Sequence, residues 1–286
     1  MEKIGLIAGN GRFPIIFAQA AKREGYKVIA IAHKGETLEE LKNWVDNIQW
    51  IRIGKLGKLI DFFKKNGVKD VALVGGITKK KMFTDIVPDL RALSLALRLK
   101  IKKPARYLPA RASQWQVGSA LAGGDDVILK AVAKELKKEG LIVQPSTSFV
   151  PSLLAPKGCL TGYKPNKEQQ CDIEFGWQMA KAIGALDIGQ CVVVKQQTVL
   201  AVEAIDGTDE TIKRGGALAE GAVVVKVSKP QQDLRFDVPA VGLNTIKNMI
   251  EVKASVLAIE TGKTLMFDKE NMIEEANKSG ISIVSL

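Results

Sequence analysis

Residues 3–33, KIGLIAGNGRFPIIFAQAAKREGYKVIAIAH, decide the fold class of the N-terminal half. The apolar run 3–9 predicts a buried strand, and a second apolar run, 27–33, predicts another. Between them, residues 12–26 have helical spacing and end beside a glycine. Two continuously apolar strands joined by one helix are typical of a parallel sheet covered on both faces.

The same alternation continues along the chain. Helical patterns at 37–45 and 56–68 separate apolar runs at 48–53 and 70–77. This β-α-β-α-β-α-β order with short connections predicts an α/β fold with a Rossmann-like parallel sheet.

The length of 286 residues exceeds what one hydrophobic core usually serves, so two domains are predicted. We assign 1–132 to the Rossmann-like N-terminal domain and 133–286 to a C-terminal mixed α/β domain. A hairpin is predicted at 190–205, closed by Gln196 and Gln197, although neither residue favours a tight turn. The other predicted elements of this domain are helices at 168–187, 208–221 and 270–279 and strands at 222–227, 255–261, 264–268 and 281–286.

Composition excludes several classes of protein. No apolar run reaches the length that spans a bilayer, and the acidic, glycine-rich N-terminus is unlike a signal peptide. The three cysteines are odd in number and far apart, which fits a reducing cytoplasm and neither a disulfide framework nor a zinc site. With His33 as the only histidine, a histidine-based catalytic triad is excluded.

The positive charge is concentrated in the first half. Residues 1–130 hold 24 Lys and Arg against 12 Asp and Glu, whereas 131–286 hold 18 against 19. A basic field of this kind attracts nucleic acid, anionic lipid or a phosphorylated substrate. Because aromatic residues make up only 6% of the chain, it has little equipment for stacking nucleic-acid bases, so nucleic acid is not the expected partner.

One basic segment, 89–103, is also amphipathic. Leu90, Leu93, Leu97 and Ile101 form one helical stripe, and three cations lie beside it: Arg91, Arg98 and Lys102. The pattern fits either a helix packed on the core or a helix that meets lipid head groups or a lipidic substrate.

The turn after the first strand, GLIAGNGRFP at 5–14, suits phosphate binding through backbone amides. Gly9, Asn10 and Gly11 are therefore candidate nucleotide contacts; the alternative is a plain strand–helix turn. A dinucleotide site is disfavoured, because Pro14 replaces the third glycine of the fingerprint and the second strand ends in His33, not in an acid.

Two further stretches concentrate polar residues. Asp125 and Asp126 begin a predicted helix, either as ordinary N-terminal acids or as ligands for Mg²⁺ beside a phosphate. The segment 186–216 places polar groups around two short strands, and some of them are expected to be caps and turn residues. Its residues are Asp187, Gln190, Thr198, Glu203, Asp206, Thr208, Asp209 and Arg214.

The stretch SKPQQDLRFDVPAVG, 228–242, follows the apolar strand GAVVVKV and carries the densest charge pattern, including Lys229. In an extended segment Asp233, Arg235 and Asp237 would share one face. Arg235 is suited to gripping phosphate oxygens, and the carboxylates to holding a metal or orienting water. The alternative is a salt-bridged sheet edge.

With these motifs in place, the chain resembles the LpxI-type UDP-2,3-diacylglucosamine pyrophosphatases of lipid A biosynthesis. The resemblance rests on GLIAGNGRFP, GDDVILKAVA, LDIGQCVVVK, LAVEAIDGTDETIKR and KPQQDLRFDVPAVGLNTI, which occur in the family's order. It implies hydrolysis of UDP-2,3-diacylglucosamine to UMP and 2,3-diacylglucosamine 1-phosphate with Mg²⁺. The substrate is expected between a Rossmann-like domain and a C-terminal α/β domain.

The resemblance also implies roles for single residues. Asp233 or Asp237 should match the essential aspartate, and Asp237 is favoured because it precedes a Pro-x-x-Gly turn. Both, with Asp125 or Asp126, are expected to hold the metal. Arg235 is expected to be catalytic together with the two aspartates, through contacts with phosphate. The expected substrate-binding residues are Gly9, Asn10, Gly11, Gln190, Thr198, Thr208, Arg214 and Lys229.

Two segments depart from the family pattern, since 103–123 is longer than expected and 75–82 is unusually rich in lysine. Both bear on acyl-chain or membrane contacts more than on the chemistry. A cytoplasmic location, peripheral association with the inner membrane and a homodimer are expectations at this point. A NAD(P)-dependent oxidoreductase or another nucleotide-sugar-binding protein remains the alternative.

Overall fold

A computed structural model describes residues 1–77, 87–99 and 124–286, with the backbone alone for 124–127. The expectations about the carboxylates of Asp125 and Asp126, and about Ile101 and Lys102, therefore lie outside the described residues.

The first unit contains one sheet whose five strands are all parallel, in the order β3-β2-β1-β4-β5. This confirms the predicted α/β fold and its parallel sheet. The strand order turns back at β1, so a switch point lies between β1 and β4, where ligands of open α/β sheets usually bind. The strands are β1 (Lys3–Ala8), β2 (Lys27–His33), β3 (Asn47–Ile51), β4 (Asp70–Val74) and β5 (Ile142–Val143); the helices are α1 (Phe13–Arg23), α2 (Leu56–Lys65), α3 (Leu90–Arg98) and α4 (Gly124–Lys138).

The helix predicted at 37–45 is only one short 3₁₀ helix, Glu39–Asn43. Thr37 is used to fasten two strands: its hydroxyl accepts from His33 N (2.9 Å) and donates to Ala8 O (2.8 Å). The 3₁₀ helix lies within the nine residues between Thr37 and the start of β3 at Asn47.

The chain divides into two compact units, 1–150 with 234–236, and 151–233 with 237–286. The boundary expected at 132/133 falls inside α4, and the structure places the division later. The physical reason is β5, which pairs in parallel with β4 and so belongs to the first sheet.

The second unit contains a mixed sheet in the order β6-β13-β11-β9-β7-β8 and a separate pair, β10 and β12. Strands β9, β11 and β13 are parallel, whereas β7 is antiparallel to both β9 and β8. The strands are β6 (Gly158–Cys159), β7 (Cys191–Lys195), β8 (Thr198–Val202), β9 (Val223–Lys226), β10 (Ala240–Gly242), β11 (Val256–Ile259), β12 (Leu265–Phe267) and β13 (Ser282–Ser285); the helices are α5 (Lys167–Ala185), α6 (Thr208–Gly216), α7 (Leu243–Glu251) and α8 (Lys269–Lys278).

The register of this sheet brings several strand ends to one edge. Lys226, the last residue of β9, is opposite Cys191 at the start of β7 and opposite Ile259 at the end of β11. Val202, the last residue of β8, pairs with Val192 at the same end. We call this end, where β8, β9, β11 and β13 finish and β7 begins, the carboxyl edge of the second sheet.

The predicted hairpin of β7 and β8 is confirmed, and the structure explains its unusual turn. Gln196 and Gln197 both have left-handed φ angles, 48° and 54°, which non-glycine residues rarely adopt. The buried carboxylate of Asp172 accepts from Gln196 N (3.1 Å) and Gln197 N (2.6 Å). Hydrogen bonds from a buried side chain thus stabilise a turn that its own residues disfavour.

Replacing Asp172 by alanine is expected to destabilise the second unit by about 2 kcal/mol, because both turn amides lose a charged acceptor. Urea unfolding followed by circular dichroism would measure the change. Glu174→Ala, an exposed carboxylate on the same helix, is the matched control and should cost less than about 0.5 kcal/mol. Equal stability of the two variants would contradict this explanation of the turn.

Helix α3 turns the predicted leucine stripe outward. Ala92 and Leu95 pack against the core of the first unit, whereas Leu90 and Leu97 are 85% and 71% exposed. The core-packed interpretation of this stripe is therefore wrong for the described residues 90–98. Its cations are paired with acids, Arg98 with Glu135 of α4 and Arg91 with Glu139, which follows that helix. Within the described ranges no helix is long and apolar enough to cross a bilayer.

Candidate active site

Charged side chains rooted in buried strands meet at the carboxyl edge of the second sheet. The ammonium group of buried Lys226 donates to Thr208 Oγ1 (2.9 Å) and to Ala240 O (2.8 Å). Thr208 Oγ1 donates in turn to Glu203 Oε1 (2.6 Å), and Glu203 Oε2 accepts from Gln190 N (3.0 Å). This chain of hydrogen bonds fixes the ends of β8 and β9, and the starts of α6 and β10, relative to one another.

The position of Thr208 in the sequence suggested that it caps α6, but in the structure it does not. The cap residue is Gly207, with φ at 83°, and Thr208 is the first helical residue. Its hydroxyl is therefore available to bridge Lys226 and Glu203.

A second buried carboxylate, Glu260, follows β11 at the same edge. Its Oε2 accepts from Lys181 Nζ (2.7 Å) and Ser228 N (2.8 Å), and its Oε1 accepts from Lys263 Nζ (2.9 Å). Burial is the largest single influence and opposes ionisation, but the donors together outweigh it and lower the pKa of Glu260. Glu260 thus remains an anion that fixes the start of the loop after β9.

Within that loop, residues 227–239, Gln232 connects the anchored end to the predicted catalytic residue. Its Oε1 accepts from Ser228 Oγ (3.0 Å) and Lys229 N (2.9 Å). Its Nε2 donates to Asp237 Oδ2 (2.6 Å). Glu260 and Gln232 therefore both bind the backbone segment that begins at Ser228, and Gln232 extends this connection to Asp237.

The predicted extended conformation of 233–237 is wrong. These residues form a turn, in which Asp237 N donates to Asp233 O (3.2 Å). The backbone bond brings Asp233 and Asp237 together at the two ends of the turn, with Arg235 at its middle. The guanidinium of Arg235 lies over the ring of Phe236, 5.0 Å from its centroid.

Two of the predicted phosphate-binding cations are paired with carboxylates. Lys229 Nζ donates to Asp187 Oδ1 (2.7 Å). Arg214 donates through Nε (3.1 Å) and Nη2 (2.7 Å) to Asp206 Oδ2, and these hydrogen bonds are the main cause of the lowered pKa of Asp206. Exposed ion pairs of this kind contribute about 0–1 kcal/mol, so a phosphate could replace the carboxylates at little cost.

The glycine turn in the first unit is occupied by the protein itself. Gly9 N donates to Val74 O (2.8 Å) and Asn10 N donates to Gly76 O (2.7 Å). A Cβ at Gly9 would lie 2.1 Å from Gly76 O, so only glycine fits this close approach. Gly11 is exposed and has open space around it, with φ at 77°. The geometry gives the plain strand–helix turn a structural explanation that needs no phosphate.

The structure thus gathers part of the predicted set at the carboxyl edge of the second sheet and its loops: Gln190, Thr208, Arg214, Lys229, Asp233 and Asp237. Arg235 falls in the first unit. The structure does not gather Thr198, which is exposed at the opposite end of β8. Sequence reasoning missed Lys226, Gln232 and Glu260. A lysine and a glutamate at the ends of apolar strands were the available signal, because buried charges of this kind need partners.

Among the described residues, no group of three His, Cys, Asp or Glu side chains could hold a metal ion by itself. Mg²⁺ is usually held by one or two carboxylates together with substrate phosphates and water. Asp237 is exposed, and its Oδ1 has no hydrogen-bond partner in the described ranges, so it fits such a partial site.

The fold and this edge define a two-unit α/β protein with carboxylates and cations at strand ends. Residues 3–153 match the family described as the LpxI N-terminal domain, and residues 156–284 match the LpxI C-terminal domain. The chain belongs to the LpxI family, as its sequence predicted.

A relative from Caulobacter vibrioides, UDP-2,3-diacylglucosamine pyrophosphatase LpxI, is 29% identical over 297 residues, covering 100% of this chain and 98% of that protein. Among solved structures, the biotin carboxylase domain of the Hydrogenobacter thermophilus 2-oxoglutarate carboxylase has 14% identity and a TM-score of 0.26. The biotin carboxylase subunit of a pyruvate carboxylase has 13% identity and a TM-score of 0.25. They match 69% and 71% of this chain, which spans 36% of each of them.

Proposed function

We propose that this protein hydrolyses the pyrophosphate bond of UDP-2,3-diacylglucosamine, releasing UMP and 2,3-diacylglucosamine 1-phosphate. The observation that carries the proposal is the match to the Caulobacter pyrophosphatase along the whole length of both chains. Membership of the LpxI family through both domains supports it.

Hydrolysis of a phosphoanhydride needs a positioned water and neutralised charge on the phosphate oxygens. We assign the first task to Asp237, because Gln232 holds one carboxylate oxygen and leaves the other open to a ligand. Asp233, its neighbour across the turn, would assist. No histidine is required for either role.

The charge of the substrate diphosphate would be met by cations of the same edge. Lys229 and Arg214 would exchange their exposed carboxylate partners for phosphate oxygens. Arg235 would approach from the turn that carries both aspartates. Lys226 has its donors committed to Thr208 and Ala240, so we assign it to holding the frame and not to the substrate.

We propose Mg²⁺ as the cofactor, held by Asp237 and Asp233 together with substrate oxygens; the proposed contribution of Asp125 and Asp126 lies outside the described side chains. When bound, the ion would neutralise charge on the anhydride oxygens. The donor set fits it, since hard cations prefer carboxylate oxygen.

The exposed leucines of α3 support a lipid contact. Leu90 and Leu97 offer apolar surface to acyl chains or to the membrane interface. Because Arg91 and Arg98 are paired with glutamates, we assign attraction to this surface to the leucines more than to the cations. Peripheral membrane association and a homodimer remain predictions.

Phosphorus NMR of UDP-2,3-diacylglucosamine incubated with the protein tests the reaction directly. We expect the diphosphate signals to be replaced by two phosphomonoester signals, those of UMP and the lipid phosphate. Chelation of Mg²⁺ is expected to slow this conversion by at least about a hundredfold, because the ion supplies several kcal/mol of charge stabilisation, and added Mg²⁺ should restore it.

An unchanged diphosphate spectrum with Mg²⁺ present would overturn the pyrophosphatase proposal. Full activity in chelator would overturn the cofactor alone. Fluorescence titration with NAD(P)H tests the oxidoreductase alternative, for which we expect no saturable binding.

A further inference from the structure

The carboxyl end of the first sheet carries a basic cavity that the proposed reaction does not use. It has a volume of about 320 Å³ and lies where β2 and β3 end. Four cationic residues line it, Lys34, Arg52, Lys55 and Lys58, together with Gln49, Trp50, Ile51 and Val87.

These four cations have no carboxylate partners among the described residues. In the described part of the chain none of them forms an ion pair, and no described acid lines the cavity. Asp89, which reaches the first turn of α2, has both oxygens engaged, Oδ2 by Gly57 N (2.7 Å) and Oδ1 by Ala92 N (3.0 Å). No described ion pair therefore competes with an anionic ligand for these four cations.

The secondary structure adds to the positive charge. Lys55 is the N-cap of α2 and Lys58 lies in its first turn, which contains no acid of its own, although Asp89 accepts from Gly57 N there. A helix N-terminus carries partial positive charge, so lysines there are the reverse of the usual arrangement. Lys34 directly follows β2, at the place where dinucleotide-binding folds have an acid for ribose hydroxyls and where a cation instead suits a phosphate.

We infer that this cavity binds a phosphoryl dianion, as part of a phosphorylated small molecule. The volume is at the lower end of the range for small-ligand pockets, which suits a mononucleotide or a sugar phosphate. A lipid head group presents the same phosphoryl chemistry. The inference does not rest on the pyrophosphatase proposal, because no residue of the cavity is assigned to that reaction.

The indole N–H resonance of Trp50 in the ¹⁵N-labelled full chain provides a local reporter, and Trp50→Phe assigns it. Inorganic pyrophosphate is expected to shift this resonance saturably. The double variant R52Q/K55Q should weaken the response at least about tenfold, because two charge-assisted contacts are lost. The control K42Q/K69Q removes the same charge from exposed positions of the same unit and should respond as the original protein does.

Sedimentation with vesicles containing phosphatidylglycerol separates the two sources of phosphate. Vesicle binding that R52Q/K55Q loses and K42Q/K69Q keeps, without a response to pyrophosphate, would identify a lipid head group as the ligand. The inference is overturned if Trp50 is insensitive to pyrophosphate and vesicle binding does not distinguish the two double variants. It is equally overturned if both double variants respond to pyrophosphate alike.

Discussion

Replacing Asp237 by alanine is expected to lower the turnover number for UDP-2,3-diacylglucosamine by at least about a thousandfold, with KM changed only a few-fold. The carboxylate is exposed and fastened by Gln232, so it is placed to act on the reacting groups more than to hold the fold. Steady-state kinetics on the purified full chain would measure both constants. Circular dichroism should show the same folded content as the original protein.

Two companion variants sharpen this test. Asp237→Asn keeps the shape and the contact with Gln232 but removes the charge, and it should lose nearly as much turnover as the alanine variant. Asp61→Ala removes an exposed carboxylate from α2 and should keep full turnover. Near-normal turnover in Asp237→Ala would remove this residue from the mechanism, and attention would pass to Asp233.

Replacing Glu260 by alanine is expected to lower the free energy of unfolding by about 2–4 kcal/mol at neutral pH. The change leaves Lys181 and the backbone N–H of Ser228 without their buried anionic acceptor. Urea unfolding followed by circular dichroism is the measurement. The matched control is Glu274→Ala, which breaks the exposed pair with Lys278 and should cost less than about 0.5 kcal/mol.

The stability difference between Glu260→Ala and the original protein should depend on pH. Because the folded-state pKa of Glu260 is lowered, its contribution is present above the unfolded-state value, about 4.3, and is lost as the pH falls through the folded value. The two unfolding curves should therefore converge in acid below about pH 4. A difference that stayed constant into acid would show that packing, and not the charge, provides the stabilisation.

Local pattern was enough for the first unit because each buried strand is a continuous apolar run. KIGLIAG and KVIAIAH are short, continuously apolar runs, which predict buried strands. The helical spacing between them predicts that the two strands are parallel. The short strands Ile142–Val143 and Gly158–Cys159 could not be predicted in this way. Two residues carry no period, and they are strands only because a partner strand lies alongside.

The candidate site was harder to predict because its shape depends on hydrogen bonds between distant residues. Asp233, Arg235 and Asp237 alternate as in a strand, but the bond from Asp237 N to Asp233 O bends them into a turn. Lys226 and Glu260 are isolated charged residues at the ends of apolar runs. Only the sheet register shows that both lie at the carboxyl edge of the second sheet. Thr198 shows the converse. It is close in sequence to other predicted site residues, but it lies at the hairpin end of β8, opposite the carboxyl edge.

The bond between Glu260 and Ser228 N spans 32 positions of the chain. During synthesis every proposed catalytic residue therefore leaves the ribosome before the group that steadies their loop. A fragment ending ahead of Glu260 would contain the complete reactive set and still lack its support. We therefore expect the proposed catalytic loop to reach its final conformation only after Glu260 has been synthesised.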